Sequence, residues 1–153
     1  MRFVSLEKRT KHWGLAWVFL AVAIALHVTD EALTGFLPLY NTLVESLRES
    51  YRWVPLPTFS FRVWLSGLVI AVLLLLGLAP FVFAGRTILR PLAYVLSVLM
   101  IGNALVHIGA SLYWQKLAPG TLSSPVLLLA AVTLLITTHR ARHITSPCPR
   151  PQP

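Results

Sequence analysis

Residues 63–85 read VWLSGLVIAVLLLLGLAPFVFAG and contain no Asp, Glu, Lys, Arg or His. A stretch of about 20 apolar residues is enough for a helix to cross the hydrocarbon core of a bilayer. Charges, Pro and Gly mark three similar stretches, so we predict four spans at about 13–38, 62–85, 91–114 and 121–138. No alternating ten-residue pattern indicates a barrel. The predicted fold class is therefore all-α, a polytopic membrane protein whose four transmembrane helices form a compact bundle.

Composition supports a membrane protein and argues against a soluble enzyme. Of the 153 residues, 56% are hydrophobic and only 12% are charged, and the mean hydropathy is +0.73. The net charge of +8 does not require nucleic acid as a partner, since no basic patch is interleaved with base-stacking aromatic residues. The expected partner is the lipid bilayer.

The distribution of basic residues predicts the orientation. Nine lie on one side of the predicted spans (Arg2, Lys8, Arg9, Lys11, Arg86, Arg90, Arg140, Arg142 and Arg150) and four on the other (Arg48, Arg52, Arg62 and Lys116). Loops rich in Lys and Arg stay in the cytoplasm. We therefore expect a multi-pass protein of the cell inner membrane with both termini cytoplasmic.

Between the first two spans, apolar residues recur at helical spacing from Tyr40 to Tyr51, while charged residues take the other face. This pattern predicts a short helix at the outer interface, ended by Pro55 and Pro57. It would be either a lid over an outward-opening site or a loop packed on the bundle. We predict one helical domain over 1–144 and a Pro-rich, disordered tail over 145–153.

Two features near the N-terminus admit different interpretations. Trp13 and Trp17 lie towards a span end, where amphipathic rings are expected to anchor at the headgroup level. The apolar run Trp13 to Leu26 behind a basic start also fits a secretory signal peptide, whose cleavage would leave three spans. Because no A-x-A site is well placed and apolar sequence resumes after Glu31, we expect the first span to be retained.

The candidate site begins in the first span, where His27, Asp30 and Glu31 fall within five consecutive positions. Ionisable groups inside a membrane are costly and usually face a partner or a water-filled cavity. His27 and Glu31 are at i and i+4 and share one helix face. In the third span, Asn103 and His107 form a second i,i+4 pair. Counted from Pro38 and Trp114, the two pairs have matching depths, which predicts that they face each other.

Three interpretations of this cluster remain open. In the first, His27, Glu31 and His107 bind a divalent metal, zinc or iron, with Asp30 or Asn103 as a fourth ligand or supporting group. In the second, His27, Asp30, Glu31, Asn103 and His107 form a catalytic acid–base site for a lipid-like apolar substrate. In the third, the protein is a non-catalytic structural or proton- or ion-transport subunit whose polar groups bond across helices or relay protons.

His27-Val28-Thr29-Asp30-Glu31, with the later His107 and Pro119-Gly120, resembles the HXXEE domain family of small bacterial membrane proteins. That family has an H-x-x-E-E motif, a further histidine and a Y-x-P-G motif, and its biochemical function is unassigned. The resemblance implies that His27, Glu31 and His107 are the family's polar residues. Asp30 replaces the first glutamate of the motif and has a side chain shorter by one methylene, and Leu117 stands in place of the tyrosine. A looser likeness to sterol-isomerase-like bundles rests only on the His/Glu pair.

Overall fold

The computed structural model describes the backbone of residues 2–53 and 55–142 and the side chains of 7–53 and 55–141. Within these ranges the structure is all-helical, as predicted. The α-helices are α1 (Arg2–Thr34), α2 (Phe36–Ser50), α3 (Phe61–Phe83), α4 (Arg90–Trp114) and α5 (Ser124–Arg142), and a 3₁₀ turn over Thr87–Leu89 leads into α4. Four of them, α1, α3, α4 and α5, are long and apolar enough to cross a membrane.

The ends of two helices differ from the predicted ends of their spans. Helix α1 ends at Thr34 rather than at 38, because Gly35 adopts φ 80°, a left-handed conformation that stops a helix. The apolar residues that continue to Pro38 belong to the first turn of α2 instead. Helix α5 begins at Ser124 rather than 121 and runs to Arg142. The predicted tail over 145–153 lies outside the described residues.

Helix α1 occupies the middle of the bundle, where it packs against both α3 and α5, and α4 packs on the far side of α5. Small residues allow this close approach, because Ala23, Ala104 and Ala130 are all buried in the core. The first and third spans are therefore not backbone neighbours along their length. Their polar side chains must reach towards each other past α5.

Trp13 and Trp17 are core residues rather than headgroup anchors. Their side chains are 1% and 2% exposed. Trp17 Nε1 donates a hydrogen bond of 2.7 Å to the carbonyl oxygen of Leu75, which ties α1 to α3. The expectation of an anchoring role was wrong, since a tryptophan near a span end can face the bundle as readily as the membrane surface.

The short helix predicted between the first two spans is present as α2, although it starts at Phe36, before the amphipathic pattern begins. It ends at Ser50, so Pro55 and Pro57 lie in the following extended segment. Asn41 holds that segment by donating to the Phe59 carbonyl (2.9 Å) and accepting from the Phe59 N–H (3.1 Å). The segment before α3 is thus tied to α2.

Candidate metal centre

Glu31 lies between two histidines in the buried end of the bundle. Its Oε1 is 3.4 Å from His27 Nε2 and 3.1 Å from His107 Nε2. The three residues are only 3–6% exposed. One carboxylate oxygen therefore faces both imidazoles, one from its own helix and one from α4.

His107 is oriented by the backbone of the loop that joins α4 to α5. Its Nδ1 donates to the carbonyl oxygen of Pro119 at 2.5 Å, and a carbonyl can only accept. The Nδ1 proton is thereby assigned, and Nε2 is the ring nitrogen left to face Glu31. A backbone oxygen on the remote ring nitrogen is a common way to fix the tautomer of a metal-binding histidine.

His27 is oriented by side chains instead. Its Nδ1 is 2.8 Å from Ser123 Oγ, and Ser123 Oγ in turn donates to Asp30 Oδ2 at 2.7 Å. Ser123 therefore accepts the Nδ1 proton of His27 while giving its own proton to Asp30. The Ser123 N–H also donates to Asp30 Oδ2 at 2.9 Å, so the carboxylate joins α1 to the start of α5.

Asn103 completes the cluster from α4. Its Nδ2 is 2.8 Å from His27 Nε2, the same nitrogen that faces Glu31. Because His27 gives its Nδ1 proton to Ser123, the amide donates and Nε2 accepts. The lone pair of His27 Nε2 is thus already turned towards the centre of the site.

Gly120 allows the loop to approach the site closely. A Cβ at this position would lie 3.0 Å from the His107 ring and 3.1 Å from Glu31 Cγ, and the residue has φ 80°. The Gly120 N–H donates to Thr34 Oγ1 at 3.2 Å, which ties the loop to the end of α1. Pro119-Gly120, in the loop after α4, therefore forms a wall of the site.

Helix α2 covers another side of the cluster through Phe36. The Phe36 ring centroid is 5.4 Å from that of His107, and the two histidine rings are 4.9 Å apart in an edge-on arrangement. Helix α2 is therefore packed on the bundle, with Phe36 against the cluster.

The ligand atoms of His27, Glu31 and His107 lie within 4.8 Å of one another. Ligands about 2.1 Å from a tetrahedral metal are separated by about 3.4 Å. The two distances from Glu31, 3.4 and 3.1 Å, are close to this separation. Two imidazole nitrogens and a carboxylate oxygen suit zinc or iron, and both remote ring nitrogens already have oxygen partners. The donor types and the two distances from Glu31 therefore suit a divalent cation.

The structure brings all five predicted site residues together: His27, Asp30, Glu31, Asn103 and His107. The equal depths that the sequence predicted for the two pairs are not the reason. With α1 ending at Thr34, Glu31 is three residues from its helix end, whereas His107 is seven from Trp114. The loop after α4 folds back, so that the carbonyl of Pro119 reaches His107. Sequence analysis missed Ser123, which precedes α5 and belongs to none of the motifs, and the carbonyl of Pro119, which has no side-chain signal.

One known family matches most of the chain. The profile of the family described as "Protein of unknown function with HXXEE motif" matches residues 17–135, which include every residue of the cluster. Comparisons with curated proteins and with solved structures give no match. In the H-x-x-E-E pattern of the family's description, His27 and Glu31 take the first and last positions, and Asp30 replaces the first glutamate. The chain therefore belongs to the family of proteins of unknown function that carry the HXXEE motif.

Proposed function

We propose that this protein is a metal-binding membrane enzyme in which His27, Glu31 and His107 hold a zinc or iron ion that acts on a lipid-like molecule. The observation that carries the proposal is the shared orientation of the histidines. Both donate Nδ1 to an oxygen and present Nε2 to the same carboxylate oxygen. A cluster that only joined helices would not require two matched tautomers.

Three protein ligands are the number that catalytic sites use, because a further position stays open for substrate. Bound there, a divalent cation would polarise a carbonyl or phosphoryl oxygen or activate a water molecule. Ser123 and Pro119 hold the two imidazoles in the ligating tautomer. If His27 Nε2 were to bind a metal, the Asn103 amide would lose its acceptor and would be available to bind a polar group of the substrate.

The surroundings of the cluster favour an apolar substrate with a polar end. A cavity of about 350 Å³ lies beside it, lined by Leu39, Trp114, Lys116, Leu117, Ala118 and Pro119. Pro119 belongs to both, since its carbonyl accepts from His107. An acyl chain would suit the apolar lining, and Lys116 is the one lining residue with a charge for an acidic group.

A second candidate is acid–base chemistry without a metal, and one contact favours it. His107 Nδ1 already carries a proton for Pro119, so the 3.1 Å contact between His107 Nε2 and Glu31 Oε1 needs one further proton to become a hydrogen bond. A proton held between an imidazole and a carboxylate is the arrangement of a general acid–base pair.

Elemental analysis of the detergent-purified protein tests the metal directly. We expect near-stoichiometric zinc or iron in the wild type and its loss in His27→Ala, His107→Ala and Glu31→Gln. His12→Ala is the matched control, because His12 is exposed and lies far from the cluster on the same helix. Folded wild-type protein that stays metal-free after incubation with either ion would overturn the metal and leave the acid–base candidate.

Thermal unfolding in detergent separates both candidates from a structural or transport subunit. Functional sites are often strained, so Glu31→Gln should leave the melting temperature unchanged or higher in metal-free protein. A cross-helix cluster kept for stability should instead lose about 3–5 kcal/mol when one partner of a buried pair is removed. A large drop in melting temperature would therefore favour the non-catalytic role.

We also propose that the protein lies in the inner membrane with both termini cytoplasmic, on the nine-to-four distribution of basic residues. Cys148 is the only cysteine in the chain and can report on this. A membrane-impermeant thiol reagent should label it only after the cells are lysed. Labelling of intact spheroplasts from outside would reverse the orientation.

A further inference from the structure

A second polar region lies at the opposite end of the bundle from the metal centre. Here the N-terminal part of α1 and the C-terminal part of α5 enclose a cavity of about 680 Å³, lined by Arg9, His12, Thr137 and Arg140. His12 and His27 are fifteen residues apart on α1, which corresponds to roughly 22 Å along the helix. The cavity is therefore separate from the cluster around Glu31.

The charge around this cavity is one-sided. Two guanidinium groups and an imidazole line it, and none of the lining residues is a carboxylate. The chain has only five acidic residues, of which four belong to α2 or to the far end of α1. The remaining one, Glu7, is two positions before Arg9, and residues at this spacing do not share a helix face. Such an unbalanced concave surface attracts anions.

The carbonyl groups at the end of α5 would repel an anion, but arginines cover two of them. Arg9 Nη1 donates to the Arg140 carbonyl at 3.4 Å, and Arg90 Nη2 donates to the Ala141 carbonyl at 2.9 Å. A guanidinium has five N–H donors, and the bond to Arg140 uses one of those on Arg9. The remaining donors of Arg9 and those of Arg140 suit the oxygens of a phosphate group.

Two apolar stripes lead away from the cavity along the same helices. On α1, Leu15 and Phe19 follow His12 at i+3 and i+7, and both are exposed. On α5, Ile136 and Val132 precede Arg140 by four and eight residues and are also exposed. A phosphate held by the arginines would thus have an apolar surface below it that can accept an acyl chain.

We propose that this cavity binds a phosphate group, with an acidic phospholipid headgroup as the source that the apolar stripes favour. Basic pockets between transmembrane helices bind such headgroups, and the cavity volume is within the usual range of ligand sites. The site does not depend on the metal centre. It fixes the ends of α1 and α5 through a lipid rather than through the protein alone.

Native mass spectrometry of the full chain with equimolar phosphatidylglycerol and phosphatidylcholine tests the proposal. The wild type should retain phosphatidylglycerol preferentially, and Arg9→Gln/Arg140→Gln should weaken this retention roughly 30-fold. Arg52→Gln/Arg62→Gln removes the same charge from two exposed residues at the other end of the bundle and should change it little. Equal losses in the two double variants would overturn the site, because diffuse charge attraction would then explain the binding.

Two further arms keep the test decisive. Arg9→Lys/Arg140→Lys keeps both charges and should restore most of the binding if the glutamine variant folds poorly. Inorganic phosphate, added without lipid, tests the free anion as the source. If the free anion is the source, phosphate should raise the melting temperature of the wild type and leave that of the glutamine variant unchanged. Absence of phosphatidylglycerol preference together with no response to phosphate would refute the proposal.

Discussion

The two histidines of the candidate metal centre, His27 and His107, are oriented in different ways. His107 depends on a backbone carbonyl, that of Pro119, whereas His27 depends on the side chains of Ser123 and Asp30. No side-chain substitution deletes the first anchor, which can be moved only by changing the path of the loop. The second anchor can be deleted by removing one oxygen atom. The two halves of the site should therefore respond to different mutations.

The half of the site that contains His107 should be more sensitive to mutation than the half that contains His27. Gly120→Ala tests this expectation. The new Cβ would lie about 3 Å from both His107 and Glu31 in a backbone conformation that costs alanine about 1–2 kcal/mol. Crowding in a packed site adds about 1–3 kcal/mol. We expect a large drop in melting temperature and loss of the bound metal, measured in detergent by thermal unfolding and elemental analysis.

Gly35→Ala is the control that separates crowding from backbone strain. Gly35 has the same φ of 80°, but nothing lies within 4 Å of its would-be Cβ. It should lose only the conformational part, about 1–2 kcal/mol, and keep its metal. Equal effects of the two substitutions would mean that the loop does not press on the site.

The His27 half should respond to Ser123→Ala. Removing Oγ leaves the His27 Nδ1–H without its acceptor and takes one of two donors from Asp30, at a cost of about 1–3 kcal/mol. Loss of such a supporting group typically weakens metal affinity by about 10- to 100-fold. Competition with a fluorescent chelator would measure the change.

Ser97→Ala is matched to that variant, since Ser97 is also a buried serine but donates to the Ala93 carbonyl of its own helix. It should leave metal affinity unchanged. If both serine variants weaken the metal equally, the hydrogen bond to His27 is not what orients the ligand.

The difference between the two anchors also explains what sequence could predict. Four helices and the i,i+4 pairs on α1 and α4 follow from local patterns, because hydropathy and helical spacing are properties of consecutive residues. The expected approach of Glu31 to His107 was correct, but it relied on a span end at Pro38 that Gly35 moves to Thr34. The loop after α4 compensates for this difference in helix ends. A hydropathy pattern does not predict the path of a loop.

Contacts made by backbone atoms could not be predicted from the sequence for a further reason. A carbonyl such as that of Pro119 exists at every residue, so only the fold reveals which one binds His107. The same applies to Trp13 and Trp17, whose burial depends on which face of α1 meets α3. The clustering of the polar side chains was therefore predictable, while the atoms that orient them were not.

Asn103→Ala should have the smallest effect and completes the comparison between the two halves. The amide of Asn103 donates to the Nε2 lone pair of His27, so it competes with a metal rather than supporting it. We expect a stability loss of about 0.5–1.5 kcal/mol in metal-free protein and unchanged metal stoichiometry. Loss of the metal in Asn103→Ala and its recovery in Asn103→Asp would instead make this residue a ligand. In that case the amide must rotate on metal binding, and the His27 half would supply one ligand more than the geometry of the metal-free site indicates.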